Sequence, residues 1–230
     1  MRYFPENTLP AFRAAISAGA CHIELDVQLS RDGIPVVFHD LCLDRLCGRS
    51  GEIKDYESHE LMATQAVGVP LQRKRFPNAT IPTLKQLIEL LNQSPQIHAF
   101  VELKRHSIKP FGLENYVDIV IEALSKAKFQ YSLISFRDDA LRYAQRHSDI
   151  PIGWVLREHN DTSRVIAETF LPNYLISNAV RIPPQPESFW PGPWKWAVYD
   201  IDNEKEALMW LRQGADLIET CCIVDMLKES

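Results

Sequence analysis

Short apolar runs alternate with longer amphipathic ones along most of the chain, and this alternation constrains the fold more than any other feature. The strand-like runs are His22–Gln28, His98–Lys104, Tyr131–Phe136, Ile152–Leu156, Tyr174–Ser177, Lys195–Asp200 and Asp216–Thr220. Helix-like segments lie at Leu9–Ala18, Thr83–Asn92, Glu114–Ala127, Asp138–His147, Thr162–Phe170 and Asn203–Gln213. A strand followed by a long crossover and another strand builds a parallel sheet covered by helices. Helix limits are marked by residue type. Thr8 precedes Leu9 as an expected N-cap, with Pro10 in the first turn and Gly19 past the end. Thr83 caps a helix with Leu84, Leu87, Ile88 and Leu91 at helical spacing, and Gly214 closes the last long helix.

The expected fold class is α/β, a TIM (β/α)8 barrel formed as a single domain over residues 1–230. Seven strand-like runs are one short of the barrel's eight, and the chain opens on a loop and a helix. A barrel without one strand exposes two unpaired edges, so the first strand is expected to be missing from these residues. Two stretches break the rhythm. Leu41–Arg75 holds Gly48, Gly51, many charges and no clear period, which reads as an inserted segment of about residues 41–80 above one rim. Asn178–Pro193 carries Pro183, Pro184, Pro186, Pro191 and Pro193, so its crossover is expected to be a loop.

Composition excludes several functions. Lys and Arg number 25 against 30 Asp and Glu, a net charge of −5, which argues against a nucleic-acid binder with a basic face. No apolar run reaches the roughly 18 residues of an integral membrane segment. The start, Met1-Arg-Tyr-Phe-Pro-Glu-Asn7, has no apolar stretch after its charge, so a cytoplasmic protein is expected. Cys21, Cys42, Cys47, Cys221 and Cys222 form an odd set with no zinc-ligand spacing, which fits reduced thiols.

The chemistry concentrates in His22-Ile-Glu-Leu-Asp-Val-Gln28. On a strand, His22, Glu24, Asp26 and Gln28 share one face. Two carboxylates at i and i+2 repel unless a cation lies between them, and such hard oxygens suit Mg²⁺ or Ca²⁺. A solvated face with chance acids is the alternative. Ser30-Arg-Asp-Gly33 then forms a turn, and Val36-Val-Phe38 returns to His39-Asp40. Pairing through that turn is expected to lay His39 across from Glu24, where an imidazole suits general acid or base work. Farther on, Phe100, Glu102 and Lys104 share a strand face. Glu102 is a third candidate ligand, and Lys104 offers a cation for an anionic substrate such as a phosphate; a strand-end Glu–Lys pair is the alternative.

Taken in order, these residues resemble the glycerophosphodiester phosphodiesterase family. The resemblance is carried by Pro5-Glu-Asn-Thr8, Ala11-Phe12, Gly19-Ala20, Ile23-Glu-Leu-Asp-Val-Gln28, Arg31-Asp-Gly33, Val36-Val-Phe-His-Asp40, Ile81-Pro-Thr-Leu84, Val101-Glu-Leu-Lys104 and Ile134-Ser-Phe136. Trp196-Ala-Val-Tyr199 and Gly214-Ala-Asp-Leu-Ile-Glu-Thr220 resemble its late strands. The resemblance implies hydrolysis of a small-molecule glycerophosphodiester to glycerol 3-phosphate and an alcohol, with a divalent cation, Mg²⁺ or Ca²⁺. It implies Glu24, Asp26 and Glu102 as metal ligands, His39 as a catalytic histidine and Lys104 as a catalytic phosphate contact. Glu6 and Trp196 are implied on the substrate side, Trp196 lining the glycerol slot.

The match departs in places. The family opens with a strand ending His-Arg-Gly shortly before its Pro-Glu-Asn-Thr, and Met1 falls after that point. A second catalytic histidine and a phosphate-binding arginine are therefore expected upstream of these residues, and their absence would cost about 10²–10⁴ in rate. A catalytically impaired, phosphodiester-binding relative is the alternative. Cys221 stands where the family more often has an acid. Another metal-dependent barrel enzyme is a rival on fold alone, but His22, His39, His59, His98, His106, His147 and His159 form no ligand motif. Phe189, Trp190 and Trp194 in the proline-rich loop could touch a lipid surface or pack within the loop.

Overall fold

The computed structural model describes residues 3–68, 74–183 and 189–227. Contacts divide the chain into two compact units, Met1–Tyr131 and Ser132–Ser230.

The first unit opens with helix α1 (Leu9–Ser17) and strand β1 (His22–Leu29). Strand β2 (Pro35–Val37) folds back antiparallel on β1, and strand β3 (His98–Leu103) pairs parallel on the other side. The hairpin bends at Ser30–Gly33, where Gly33 takes a φ of 75° that disfavours a side chain. Asp32 fastens the bend by accepting from the Ser30 hydroxyl at 2.7 Å and from the Ser58 N–H and hydroxyl at 2.8 and 2.7 Å. These bonds hold its carboxyl down at about 2, against the burial that works to raise it.

Short helices α2 (Asp44–Cys47) and α3 (Ser58–Met62), with a 3₁₀ turn at Ile53–Asp55, occupy the expected insertion. Its irregular sequence still makes a core. Leu43, Leu46, Ile53, Leu61 and Ala66 pack against Val36, Phe38 and Ile81. Helix α4 (Leu84–Leu91) starts at Thr83, whose hydroxyl accepts from Gln86 N–H while the Gln86 side chain accepts from Thr83 N–H. Thr8 does not cap in this way. Its hydroxyl donates back to the Pro5 carbonyl at 2.7 Å, which shapes the turn before α1 instead.

Helix α5 (Arg105–Phe111) follows β3 directly, and α6 (Leu113–Leu124) continues after Gly112. Both are tied to β1. The Ser107 hydroxyl accepts from Leu29 N–H at 2.8 Å, and the buried Tyr116 hydroxyl donates to the Val27 carbonyl at 2.6 Å. Strand β4 (Gln130–Ser135) spans the boundary between the units.

The second unit repeats strand and helix: α7 (Asp138–His147), β5 (Ile152–Val155), α8 (Asp161–Phe170), β6 (Tyr174–Asn178), β7 (Lys195–Tyr199), α9 (Glu204–Gln213), β8 (Leu217–Ile218) and α10 (Ile223–Met226). Strands β4 to β8 pair parallel in sequence order. Every strand and long helix expected from the sequence is present, with limits shifted by a few residues. Helix α5 is not among the helix-like segments of the sequence, and it carries Pro110 within it.

Residues 69–73 of the expected insertion, and Pro184 and Pro186, lie outside the described residues. The described part of the proline-rich crossover holds only a 3₁₀ turn, Ala179–Arg181. Trp190 and Trp194 are buried there, which favours packing within the loop over a lipid-facing tip. No described helix is long and apolar enough to cross a membrane. None of the five cysteines forms a disulfide.

Candidate active site

Parallel register sets the first feature of the site. β1 and β3 place Asp26 beside Glu102 and Glu24 beside Phe100. Ligand oxygens of Glu24, Asp26 and Glu102 all lie within 4.8 Å of one another. Lys104, one residue past β3, joins them. Its Nζ lies 3.0 Å from Asp26 Oδ1 and 3.2 Å from Glu102 Oε1. The Asp26 and Lys104 residues are only 3% and 7% exposed, so these are nearly dry charges.

Dry charges must balance. Burial and the charge of Asp26 push the Glu102 carboxyl up, with Lys104 opposing them. Burial alone would lower Lys104, but Asp26 and Glu102 outweigh it and push it up to about 12. Three carboxylates against one ammonium leave two negative charges when all are ionised. A site of three hard oxygen donors with that surplus fits a divalent cation of the Mg²⁺ or Ca²⁺ class.

Asn7 orients the central carboxylate. Its side-chain N–H donates to Asp26 Oδ2 at 2.7 Å, and its amide oxygen accepts from Asp26 N–H at 3.3 Å. The backbone of Asn7 takes a φ of 54°, a left-handed conformation that asparagine tolerates better than most residues.

His39 arrives by a different route from the one expected. The hairpin pairs Val27 with Val37, Gln28 with Val36 and Leu29 with Pro35, and the ladder ends there. That register carried onward sets His39 against Leu25, one residue from the expected Glu24. Beyond the ladder, Phe38 N–H donates to the Asp26 carbonyl at 2.9 Å. The Gln28 side chain donates to the carbonyls of Phe38 and Asp40 at 2.8 and 2.7 Å, which fixes the His39 backbone. The His39 side chain is 53% exposed, and its Nδ1 lies 2.8 Å from Asp40 Oδ1.

Arg45 completes this edge. It donates from Nε to Asp40 Oδ2 at 2.6 Å and from both terminal nitrogens to Glu6. Its hydrogen bonds to Glu6 and Asp40 push its own pKa up. Burial works to raise Asp40, but the bonds from Arg45 and His39 win and hold it below the usual carboxylate range. An ionised Asp40 accepts from His39 Nδ1–H, so Nε2 is the nitrogen left to exchange a proton. Glu6, His39 and Asp40 also converge within 4.8 Å, but Arg45 already pairs with both acids.

The first unit therefore gathers Glu6, Glu24, Asp26, His39, Glu102 and Lys104. Trp196 belongs to the second unit. It is buried on β7, donates from its indole to the Trp190 carbonyl at 3.2 Å, and packs on His159 and Phe189. Asn7, Gln28 and Asp40 carry no signal of their own in the sequence, although each lies inside a motif of the family resemblance. Arg45 carried no signal. Its partner Glu6 is 39 residues away in sequence. His106 Nδ1 is buried without a hydrogen-bond partner among the described residues, and burial and the charges of Lys104 and Arg105 push its pKa down.

Comparison with known proteins decides the family. The model of the glycerophosphoryl diester phosphodiesterase family matches residues 1–184. The chain belongs to that family. The glycerophosphodiester phosphodiesterase of Caldanaerobacter subterraneus subsp. tengcongensis is 36% identical over 140 residues, which are 60% of this chain and 55% of that protein. Glycerophosphodiester phosphodiesterase 1 of Bos taurus is 38% identical over 106 residues, 46% of this chain and 31% of its own length. The matched segments thus span about a third to a half of these curated relatives.

Solved structures extend the likeness over the whole chain. An Oleispira antarctica phosphodiesterase, solved in complex with the product sn-glycerol-3-phosphate, superposes with a TM-score of 0.87 at 25% identity, covering 100% of this chain and 93% of that one. The glycerophosphodiester phosphodiesterase of Thermotoga maritima gives 0.77 at 26% identity, covering 99% and 93%. The fold is the α/β TIM-barrel type of these phosphodiesterases.

Proposed function

We propose that this chain carries the site of a divalent-cation-dependent hydrolase that cleaves glycerophosphodiesters to glycerol 3-phosphate and an alcohol. The observation that carries the reading is the group of half-buried Glu24 with buried Asp26 and Glu102, with Lys104 bound into it and His39 on the adjoining edge. Membership of the family supports it, as does the product complex of the Oleispira relative.

Glu24, Asp26 and Glu102 would hold the cation, which supplies charge neutralisation of the phosphodiester and acidifies a bound hydroxyl or water. Asn7 keeps Asp26 aimed. Lys104 Nζ supplies positive charge for a non-bridging phosphate oxygen, where charge grows in the transition state. His39 delivers a proton from Nε2 to the leaving alkoxide, with Asp40 holding Nδ1–H and Arg45 holding Asp40. Glu6 is placed by Arg45 to meet the substrate at the same edge.

The test is ³¹P NMR of the purified chain with glycerophosphocholine, with Mg²⁺ or Ca²⁺ and with chelator. Glycerol 3-phosphate is expected only with the cation, and Glu102→Gln or His39→Ala should lower its rate by about 10²-fold or more. Cation binding without product would reject hydrolysis of this substrate and favour a phosphodiester-binding role.

A further inference from the structure

A second, chemically different cluster lies in the other unit. The turn after β7 and the segment after β8 run side by side there: Glu219 N–H donates to the Val198 carbonyl at 2.8 Å, and Ile201 N–H donates to the Glu219 carbonyl at 3.3 Å. This pairing carries Asp202 to the adjacent thiols of Cys221 and Cys222. Cys221 Sγ lies 3.1 Å from Asp202 Oδ1 and 3.4 Å from Cys222 Sγ, and Cys222 Sγ lies 3.8 Å from the same oxygen. Cys222 is buried, and its N–H donates to the Thr220 hydroxyl at 3.0 Å, which fixes the dithiol backbone. Cys221 and Asp202 are exposed, so the group is open to solvent on one side.

We propose that Asp202, Cys221 and Cys222 form a binding site for a thiophilic divalent cation of the Zn²⁺ class. The ligand separations support this. Tetrahedral zinc holds thiolates at about 2.3 Å, which sets two sulfurs about 3.8 Å apart. The observed 3.4 Å between sulfurs, and 3.1 and 3.8 Å from sulfur to oxygen, need only small side-chain movements to match. Two sulfurs and one carboxylate oxygen favour zinc over Mg²⁺ or Ca²⁺, which take oxygen ligands. Three protein ligands leave the fourth position to water, on the exposed side. The two clusters therefore sort cations by softness: the all-oxygen group in the first unit takes the hard one.

Cobalt(II) is the probe, added to the reduced full chain with excess Mg²⁺ to occupy the carboxylate group. One equivalent should give a sulfur-to-cobalt charge-transfer band and tetrahedral visible absorption, both bleached by equimolar Zn²⁺. Cys221→Ser should lower affinity by more than the about 10- to 100-fold that loss of a supporting contact costs, and Asp202→Asn by about 10-fold. Serine at Cys21, Cys42 and Cys47 together should leave the band intact. Cys222→Ser removes a buried group, so its melting curve is compared first, while the exposed Cys221 keeps the test decisive. The site is overturned if no thiolate band appears, if the band survives loss of Cys221 and Cys222, or if Asp202→Asn binds cobalt unchanged.

Discussion

Lys104 shows how one side chain can hold a site together and stand ready for a ligand. Its ammonium is bonded to Asp26 and Glu102 in a nearly dry setting, so removing it leaves two buried carboxylates without their balancing positive charge. Breaking a buried pair from one side costs about 3–5 kcal/mol. Lys104→Met should therefore lose about that much stability in chelator, and Mg²⁺ or Ca²⁺ should restore a good part of it by replacing the missing charge. Urea melts with and without cation check this; equal losses in both conditions would detach Lys104 from the cation site. Asn7 acts on the same carboxylate through hydrogen bonds alone. Asn7→Gly keeps the left-handed backbone but removes the amide from Asp26. Cation affinity, measured by calorimetry, is expected to fall about 10- to 100-fold with the fold intact. An unchanged affinity would make Asn7 a turn residue and nothing more.

At the scale of the element, the hairpin of β1 and β2 sets the position of His39, and Asp32 secures its bend. The carboxyl of Asp32 is held at about 2 against an ordinary 3.8. Its contribution is thus complete above about pH 4 and is lost as pH falls toward 2. Asp32 is exposed, so the effect is small, about 1 kcal/mol or less. Asp32→Asn should be less stable than the parent at pH 7 in urea, and the gap should close near pH 2. A gap that persists there would assign the loss to the changed side chain's shape and not to its charge.

The same hairpin shows what sequence can reveal. Its turn and return strand follow from Ser30-Arg-Asp-Gly33 and the period-two pattern, which are local signals. The turn signal fixes the register only to within a residue: the observed pairs, carried onward, set Leu25 and not Glu24 against His39, while the ladder stops at Val37 and the Gln28 amide sets the path beyond it. Thr83 capped as its neighbours implied, whereas Thr8 turned to the Pro5 carbonyl, a choice made by the preceding turn. Glu24, Asp26 and Glu102 could be read because strand alternation fixes their face. The clamp of Glu6, Arg45 and Asp40 could not, since it depends on a contact between residues 39 apart that no local pattern marks.

For the whole molecule, the placement of the chemistry gives a test of its own. All three carboxylates of the proposed cation site lie on β1 and β3, between Met1 and Tyr131, and Asn7 and His39 belong to the same unit. A cation that binds only the folded state stabilises it by about 2.7 kcal/mol at a hundred times its dissociation constant. Amide protons report where that energy is felt, since proteins open in parts as well as all at once. Hydrogen exchange in saturating Mg²⁺ or Ca²⁺, against chelator, should slow β1, β3 and the Pro5–Thr8 turn most, by a factor approaching a hundred. Amides of β5 to β7 should change far less, because no carboxylate of the site lies between Ser132 and Ser230. Equal slowing across both units would mean that they open only together, and the cation would then act as a fastener of the entire fold. Slowing confined to the second unit would place the hard-cation site elsewhere and remove the physical basis for assigning it to Glu24, Asp26 and Glu102.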